Sequence, residues 1–128
     1  MFELPKCPFC GDPDFVIENE LALAHYDSYP VSAGHCLVTP RRHVAEYFQA
    51  TAAEKAAIWE LVDELKPIID RQFSPDGYNI GVNVGSAAGQ SIPHLHIHLI
   101  PRYRGDVENP KGGVRGVIPH KQKYERKK

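Results

Sequence analysis

Three histidines alternate along one short segment, which reads His94-Leu95-His96-Ile97-His98. In an extended strand, alternate side chains share one face and successive ones lie about 7 Å apart. A neutral imidazole can attack phosphorus to form a labile bond, while a neighbouring imidazole steadies the phosphate and donates to the leaving oxygen. The triplet also suits a catalytic zinc centre with water as the fourth ligand, or three exposed histidines on a strand. The spacing favours nucleophilic catalysis, because side chains spread along a flat strand do not converge on one ion.

The segment before the triplet is rich in small residues and favours phosphate as the ligand. Residues 85–91 end in two side-chain donors, Gln90 and Ser91, and their backbone amides can approach phosphate oxygens closely. A flexible connection between two antiparallel strands would have a similar composition. Asn83 precedes this segment, and we expect it to share the open face of its strand with Gly81.

A second chemical motif, Cys7-Pro8-Phe9-Cys10, lies near the start of the chain. A redox pair of this spacing belongs at a helix N-terminus in a βαβ unit, whereas turn-forming residues 11–13 follow this one. Zinc suits the motif better, although a tetrahedral site needs two further ligands. A pair of reduced thiols without metal is the alternative.

Short runs of strand-forming residues predict the sheet that carries these groups. Residues 15–19 and 21–27 form a hairpin or a bulged pair, and residues 35–39 form a third strand that Pro40 stops. Two more strands cover residues 78–84 and 94–99, and Ile80 belongs to the packing face of the first.

A long helix occupies the middle of the chain. Thr51 and Glu54 have the spacing of a capping box, and Pro67 is expected to bend or divide the helix before it ends at residues 74–77. The apolar stripe that follows the cap needs a sheet to cover, and it consists of Ile58, Leu61, Val62, Leu65, Ile69 and Phe73.

The composition of the chain is typical of one ordinary globular domain. The chain has 128 residues, of which 42% are hydrophobic, and 15 Lys and Arg balance 16 Asp and Glu to a net charge of −1. These values exclude collagen, a disordered chain and a membrane-spanning protein, and they predict no strong nucleic-acid binding. Three cysteines are an odd number for a disulfide framework, and no signal-peptide run begins the chain, so we expect a cytoplasmic protein.

Two segments together resemble the histidine-triad (HIT) superfamily of nucleotidyl hydrolases and transferases. They are residues 89–101, which contain the triplet, and residues 34–43, which read Gly34-His35-Cys36-Leu37-Val38-Thr39-Pro40-Arg41-Arg42-His43. Residues 109–119 resemble the C-terminal extension of the dinucleoside-polyphosphate branch. The resemblance implies an α+β fold, with an antiparallel sheet of about five strands backed by one long helix, that pairs into a homodimer. Residues 1–128 would then form a single domain, with 102–128 as C-terminal extension and basic tail.

The resemblance also implies roles for individual residues in cleavage at a nucleoside α-phosphate. His96 would be the nucleophile that forms a covalent nucleotidyl-histidine, and His98 would contact the phosphate and assist the leaving group. The nucleotide-binding positions would be Asp27 for the ribose hydroxyls, Asn83 for phosphate or ribose, Gln90 and Ser91 for phosphate oxygens, and His25 against the base. His25 replaces the apolar residue that the family commonly has there, which leaves the base preference open.

A structural zinc ion is the cofactor that the resemblance implies, and no organic cofactor is expected. Its ligands would be Cys7, Cys10, His43 and His94, which makes His94 a ligand instead of a relay partner of His96. Lys111 and Arg115 of the extension would meet the further phosphates of a long substrate. Two other functions stay open: a zinc-dependent hydrolase that uses the three histidines as ligands, and a non-catalytic nucleotide-binding module.

Overall fold

A five-stranded antiparallel sheet and one long helix make up the fold. The computed structural model describes residues 7–11 and 14–126; part of the predicted turn after Cys10 and the last two residues of the basic tail lie outside them. The strands are β1 (Ile17–Glu18), β2 (Ala22–Tyr26), β3 (Cys36–Pro40), β4 (Gly77–Val82) and β5 (Ile97–Arg102), and the helix is α1 (Ala52–Phe73). The strand order across the sheet is β1-β2-β3-β5-β4. The expected α+β architecture is confirmed.

The predicted hairpin forms, with shorter strands than expected. The Asn19 side chain accepts hydrogen bonds from the backbone amides of Leu21 and Ala22. The turn therefore includes residues that the sequence pattern predicts to be in the strands. The expectation that Pro40 stops β3 is wrong by one residue, because Pro40 is the last residue of that strand. A proline is tolerated where the ladder needs no donor, and its carbonyl still lies 2.9 Å from Nε2 of His94.

Helix α1 covers one face of the sheet. Its capping box is present as predicted, since Thr51 and Glu54 each accept a hydrogen bond from the other's backbone amide. The predicted stripe from Ile58 to Ile69 is buried against apolar side chains of β2, β3 and β5. Pro67 does not divide the helix, because it lies on the exposed side, where the missing backbone donor disturbs no packing.

The second half of the sheet departs most from the prediction. Strand β5 begins at Ile97, so His94 and His96 precede it and the three histidines do not lie on one strand face. The reason is a tertiary contact: the amide of Leu95 donates to the carbonyl of Val44, outside the sheet. Ile80 is 42% exposed on the edge strand β4, although Tyr78 and Val82 of the same strand pack against the core.

Among the residues that the structure describes, no helix has the length and apolar character needed to cross a membrane.

Candidate functional site

A cleft of about 930 Å³ opens on the sheet face opposite α1, and most of the predicted site residues line it. Its floor comes from β5 and the residue before it, and its walls come from the C-terminal end of β2 and from the loop that follows β4. The predicted residues that line it are His25, Asp27, Asn83, Ser91, His96 and His98.

The surroundings of His96 fix the position of its ring proton. Nδ1 lies 2.8 Å from the backbone carbonyl of His94. Because a carbonyl only accepts, Nδ1 must carry the hydrogen, and a neutral ring then has its lone pair on Nε2. His96 is 7% exposed, so little solvent competes for that lone pair. The side chain therefore has the form that nucleophilic attack requires.

His98 lies on β5, opposite Gly81 of β4, and its ring centroid is 5.2 Å from that of His96. Its Nδ1 is 2.9 Å from Nε2 of His35. Burial, together with the neighbouring His96 and His35, lowers the pKa of His98 to about 4. His98 is therefore neutral at physiological pH.

The loop between β4 and β5 is closed by Gln90, in a way that the sequence did not predict. Gly85 and Gly89 both have positive φ, at 86° and 93°, which lets the loop turn tightly. The Gln90 side chain accepts from the amide of Gly85 and donates to the carbonyls of Ala45 and Ile92. Both N–H groups of the Gln90 side chain are thus used by backbone carbonyls, and the neighbouring Ser91 lines the cleft.

The Asp27 carboxylate makes two contacts at the end of β2. One carboxylate oxygen accepts from the amide of Tyr29 at 2.8 Å, which is a turn contact, and the other lies 3.4 Å from Nε2 of His35. Asp27 nevertheless lines the cleft. Its partly buried carboxylate is thus held at the cleft wall by the turn.

His25 also faces the cleft, and burial lowers its pKa. Its Nε2 is buried without a hydrogen-bond partner among the described residues. Its ring centroid lies 5.3 Å from that of Phe9. The imidazole therefore places a polar atom without a partner in the cleft wall, beside the aromatic ring of Phe9.

Four possible metal ligands converge beside the cleft. The ligand atoms of Cys7, Cys10, His43 and His94 all lie within 4.8 Å of one another. The Sγ–Nδ1 distances of 3.1 to 3.5 Å approach the edge of a tetrahedron with metal bonds of about 2.0–2.3 Å. Nε2 of His94 donates to the carbonyl of Pro40, which directs the Nδ1 lone pair toward the thiols. This donor set fits zinc.

The three-histidine metal centre is not supported by the geometry. In the described part of the chain, His94, His96 and His98 do not form one group of possible ligands, because His94 belongs to the cysteine cluster. A second group consists of Asp27, His35 and His98.

Comparison with known proteins identifies the family. The HIT domain model matches residues 11–105 of the chain. The chain belongs to the HIT domain family. It is 36% identical over 111 residues to an AP-4-A phosphorylase of Mycobacterium tuberculosis H37Rv, covering 80% of this chain and 57% of that protein. It is 36% identical over 91 residues to a bis(5'-adenosyl)-triphosphatase of Dictyostelium discoideum, covering 71% of this chain and 61% of that one.

Among solved structures, the HIT chain is similar to a zinc-bound histidine triad family protein from Mycobacterium smegmatis. The TM-score is 0.67 at 30% identity, and the match covers 72% of this chain and 67% of the other. The chain thus spans about three fifths of the two curated relatives and two thirds of this solved one.

Phe9, which lies between the two cysteines, is a cleft residue that the sequence did not predict. The side chain is 7% exposed, and its ring centroid lies 5.1 Å from that of His96 and 5.8 Å from that of His94. The sequence signal for this contact was an aromatic residue between two candidate metal-ligating cysteines. Its importance depends on where the motif folds, which the sequence did not reveal.

Two cations of the C-terminal extension, Lys111 and Arg115, contact other residues of the extension. The Arg115 guanidinium donates to the carbonyls of Lys121 and Gln122 and lies over the ring of Tyr124. Lys111 also lies over that ring, with Nζ 5.2 Å from its centroid. Neither residue lines the cleft, and both make their contacts within the extension.

Proposed function

We propose that this HIT protein cleaves nucleotides at the α-phosphate through a covalent nucleotidyl intermediate on His96. The observation that carries the proposal is the hydrogen bond from Nδ1 of His96 to the His94 carbonyl, which leaves the Nε2 lone pair for attack. Relatives named AP-4-A phosphorylase and bis(5'-adenosyl)-triphosphatase support a dinucleoside polyphosphate as substrate. A small nucleoside phosphoramidate contains the same reacting centre.

The reaction has two displacements at phosphorus. Nε2 of His96 forms a bond to the α-phosphorus, and the bond from phosphorus to the leaving group breaks. His98 contacts the transferring phosphate and assists the departing atom. Water or inorganic phosphate then attacks the same phosphorus and loses a proton to solvent, the phosphorus–nitrogen bond breaks, and its electron pair returns to Nε2.

The remaining cleft residues bind the nucleotide. Asp27 accepts from the ribose hydroxyls, and Ser91 and Asn83 contact phosphate or ribose. Phe9 and His25 form the wall against which the base stacks, since both aromatic side chains line the cleft. Gln90 positions Ser91 indirectly, because its side chain accepts a hydrogen bond from the Gly85 amide and closes the loop that carries Ser91.

A structural zinc ion held by Cys7, Cys10, His43 and His94 completes the proposed site. Zinc there would tie three distant segments together and supply no catalytic water, because four protein ligands fill its coordination. The zinc-bound relative supports this assignment. None of the three cysteines, all of which lie in the described part of the chain, forms a disulfide, which fits a cytoplasmic protein.

We further propose a homodimer of single-domain chains, each with residues 102–128 as its C-terminal extension. The long edge strand β4 exposes Ile80, which gives a second copy a place to add its own strand.

Replacement of His96 tests the function directly. His96→Ala and His96→Gly are expected to lower turnover of a dinucleoside polyphosphate by at least roughly a thousandfold while AMP binding is largely retained. The matched control is His120→Ala, an exposed histidine outside the cleft. Mass spectrometry of wild-type protein quenched during turnover is expected to find the nucleotide on His96.

Near-wild-type rates in the His96 variants would overturn the mechanism. Turnover that chelation abolishes, with no covalent adduct, would favour the metal hydrolase. Nucleotide binding with no turnover of any nucleotide ester would favour the binding module.

A further inference from the structure

Residues 7–11, here called the cysteine turn, contact the rest of the fold through side chains. The Cys10 amide donates to the Cys7 carbonyl at 3.2 Å, which closes the turn on itself. Within the described ranges, no backbone hydrogen bond joins the turn to another segment. The side-chain hydrogen bonds that the turn makes there are those of its two sulfur atoms with His43 and His94. The thiols are therefore the polar groups that attach the turn to the fold.

The two thiols are placed so that they can bind a metal ion together or bond to each other. Both sulfur atoms belong to the group of ligand atoms that lie within 4.8 Å of one another. A turn closed by a hydrogen bond between its first and fourth residues brings their Cα atoms within about 7 Å, and a disulfide needs about 4.4–6.8 Å. Cys10 is exposed, which makes it accessible to a small oxidant. The pair thus has two alternative states, a zinc-bound dithiolate and a disulfide.

Phe9 couples the cysteine turn to the cleft. Its ring centroid lies 5.1 Å from that of His96 and 5.3 Å from that of His25. A second connection passes through His94, whose Nδ1 faces both thiols and whose backbone carbonyl accepts the Nδ1–H of His96. The position of the turn therefore affects both the cleft wall and the proposed nucleophile.

Cys36 is the third thiol of the chain and has a contrasting environment. It is fully buried in the core, where burial raises its pKa to about 12. Because the thiolate is the form that oxidants attack, we expect Cys36 to stay reduced in the folded protein. Oxidation is therefore directed to the cysteine turn.

We propose that Cys7 and Cys10 form a redox switch, in which a hydroperoxide converts the zinc-bound thiolates to a disulfide, the metal is released, and Phe9 leaves the cleft wall. The inference rests on the proposed function and on the zinc site that is part of it. It adds a regulatory role to residues that otherwise serve the fold alone.

The oxidation balances with hydrogen peroxide as the oxidant. A thiol that coordinates zinc is deprotonated, so both sulfur atoms are thiolates. The Cys10 thiolate attacks one peroxide oxygen, the O–O bond breaks, and a sulfenic acid forms with loss of hydroxide. The Cys7 thiolate then attacks that sulfur atom and displaces a second hydroxide. Two electrons pass from the sulfur atoms to the peroxide, and each hydroxide takes a proton from solvent to form water.

A disulfide cannot replace the metal as a link between segments. The contacts at the zinc site join residues that are 33 and 87 positions apart, whereas a Cys7–Cys10 disulfide closes a loop within one turn. Cross-links that close long loops stabilise a fold more than those that close short ones. After oxidation, His43 and His94 are the ligands that remain, and zinc requires four. Oxidation therefore detaches the turn while the sheet and the helix keep their own hydrogen bonds.

Peroxide treatment of the zinc-loaded wild-type protein tests the switch without turnover. A chromogenic chelator is expected to detect one zinc ion released per chain, and mass spectrometry is expected to find a Cys7–Cys10 disulfide with Cys36 reduced. AMP affinity is expected to fall at least roughly threefold, as for loss of the Phe9 stacking contact, and to recover with dithiothreitol and zinc. The chain has one methionine, Met1, so few other sulfur atoms compete for the peroxide.

Two variants separate the switch from general oxidative damage. Cys10→His keeps four possible ligands but leaves Cys7 without a disulfide partner, so we expect it to retain zinc and AMP affinity in peroxide. Cys36→Ala removes the buried thiol and is expected to respond as the wild type does. If Cys10→His does not bind zinc, the wild-type protein and Cys36→Ala still decide the inference.

Zinc that stays bound in peroxide, or zinc release without a disulfide, would overturn the switch. Oxidised protein with unchanged AMP affinity would overturn the coupling through Phe9. A protein that turns over nucleotides and shows no redox response would leave the proposed function intact. The full redox response in a protein without turnover would instead overturn the proposed function and support the switch.

Discussion

Each imidazole of the triplet owes its chemistry to what its two nitrogens face. His94 donates to the Pro40 carbonyl through Nε2 and leaves Nδ1 beside the thiols. His96 donates to a carbonyl through Nδ1 instead, whereas Nδ1 of His98 lies 2.9 Å from Nε2 of His35. Three identical side chains within five residues thus have three different hydrogen-bonding environments, because each ring meets a different partner.

Glu54 offers a prediction at the same scale. Its buried carboxylate accepts two hydrogen bonds from Arg42, and these bonds, with the Thr51 cap, lower its pKa. The resulting stabilisation is complete above the ordinary carboxyl pKa and is lost as the pH falls through the lowered one. Glu54→Gln retains the capping shape, so its expected cost at pH 7 is the ion pair, about 1–2 kcal/mol.

Urea unfolding of Glu54→Gln at several pH values checks this prediction. The difference from wild type is expected to shrink as the pH falls below about 4. Glu64→Gln, an exposed position on the same helix, is the matched control and corrects for metal loss in acid. A cost that stays constant across this pH range would contradict the ion pair as its source.

Three distant segments meet at the cysteine cluster, which makes it a junction between elements. Cys7 and Cys10 come from the first described turn, His43 from the loop after β3, and His94 from the segment before β5. Phe9 lies between the two cysteines and contacts His96. The proposed zinc ion would therefore position an aromatic wall of the cleft as well as the segment that leads into β5.

Metal removal tests this junction. Protein purified without added metal is expected to contain one zinc per chain by elemental analysis, and chelation is expected to lower the melting temperature and weaken AMP binding. Phe9→Ala is expected to keep the zinc while AMP affinity falls roughly threefold to tenfold, since an aromatic stacking contact contributes about 0.5–1.5 kcal/mol. Protein without zinc, with both thiols titratable in the folded state, would return the cysteines to the metal-free alternative.

The whole molecule has two sheet edges of very different length. Strand β1 has two residues, whereas β4 has six. The side chain of Ile80 in β4 is exposed. A long edge with an apolar side chain favours strand addition, and natural proteins cover such edges. A second copy of the chain is the occupant that we propose.

Sedimentation velocity of Ile80→Asp tests the homodimer. The wild-type chain is expected to sediment as a dimer, and the variant is expected to raise the dissociation constant at least roughly tenfold, because a buried unpaired carboxylate is costly. Phe48→Asp, an exposed aromatic position outside β4, is the control for a general effect of charge. A wild-type monomer at all concentrations studied would exclude the dimer.

The sequence by itself determined the elements whose causes are local. The capping box of Thr51 and Glu54, the buried stripe of α1 and the β1–β2 hairpin all depend on residues within a few positions of one another. Periodicity and capping therefore predicted them. The family resemblance, in turn, predicted the candidate nucleophile and the candidate metal ligands.

Tertiary structure alone decided the features that join distant parts of the chain. His35 and His98 are 63 positions apart, and Gln90 and Ala45 are 45 apart. The alternation of residues 94–98 carried no information about the Val44 carbonyl that holds Leu95 out of β5. Such contacts depend on sheet register and on which loop packs over which strand, and these follow from the burial of the whole core and not from the pattern of any one segment.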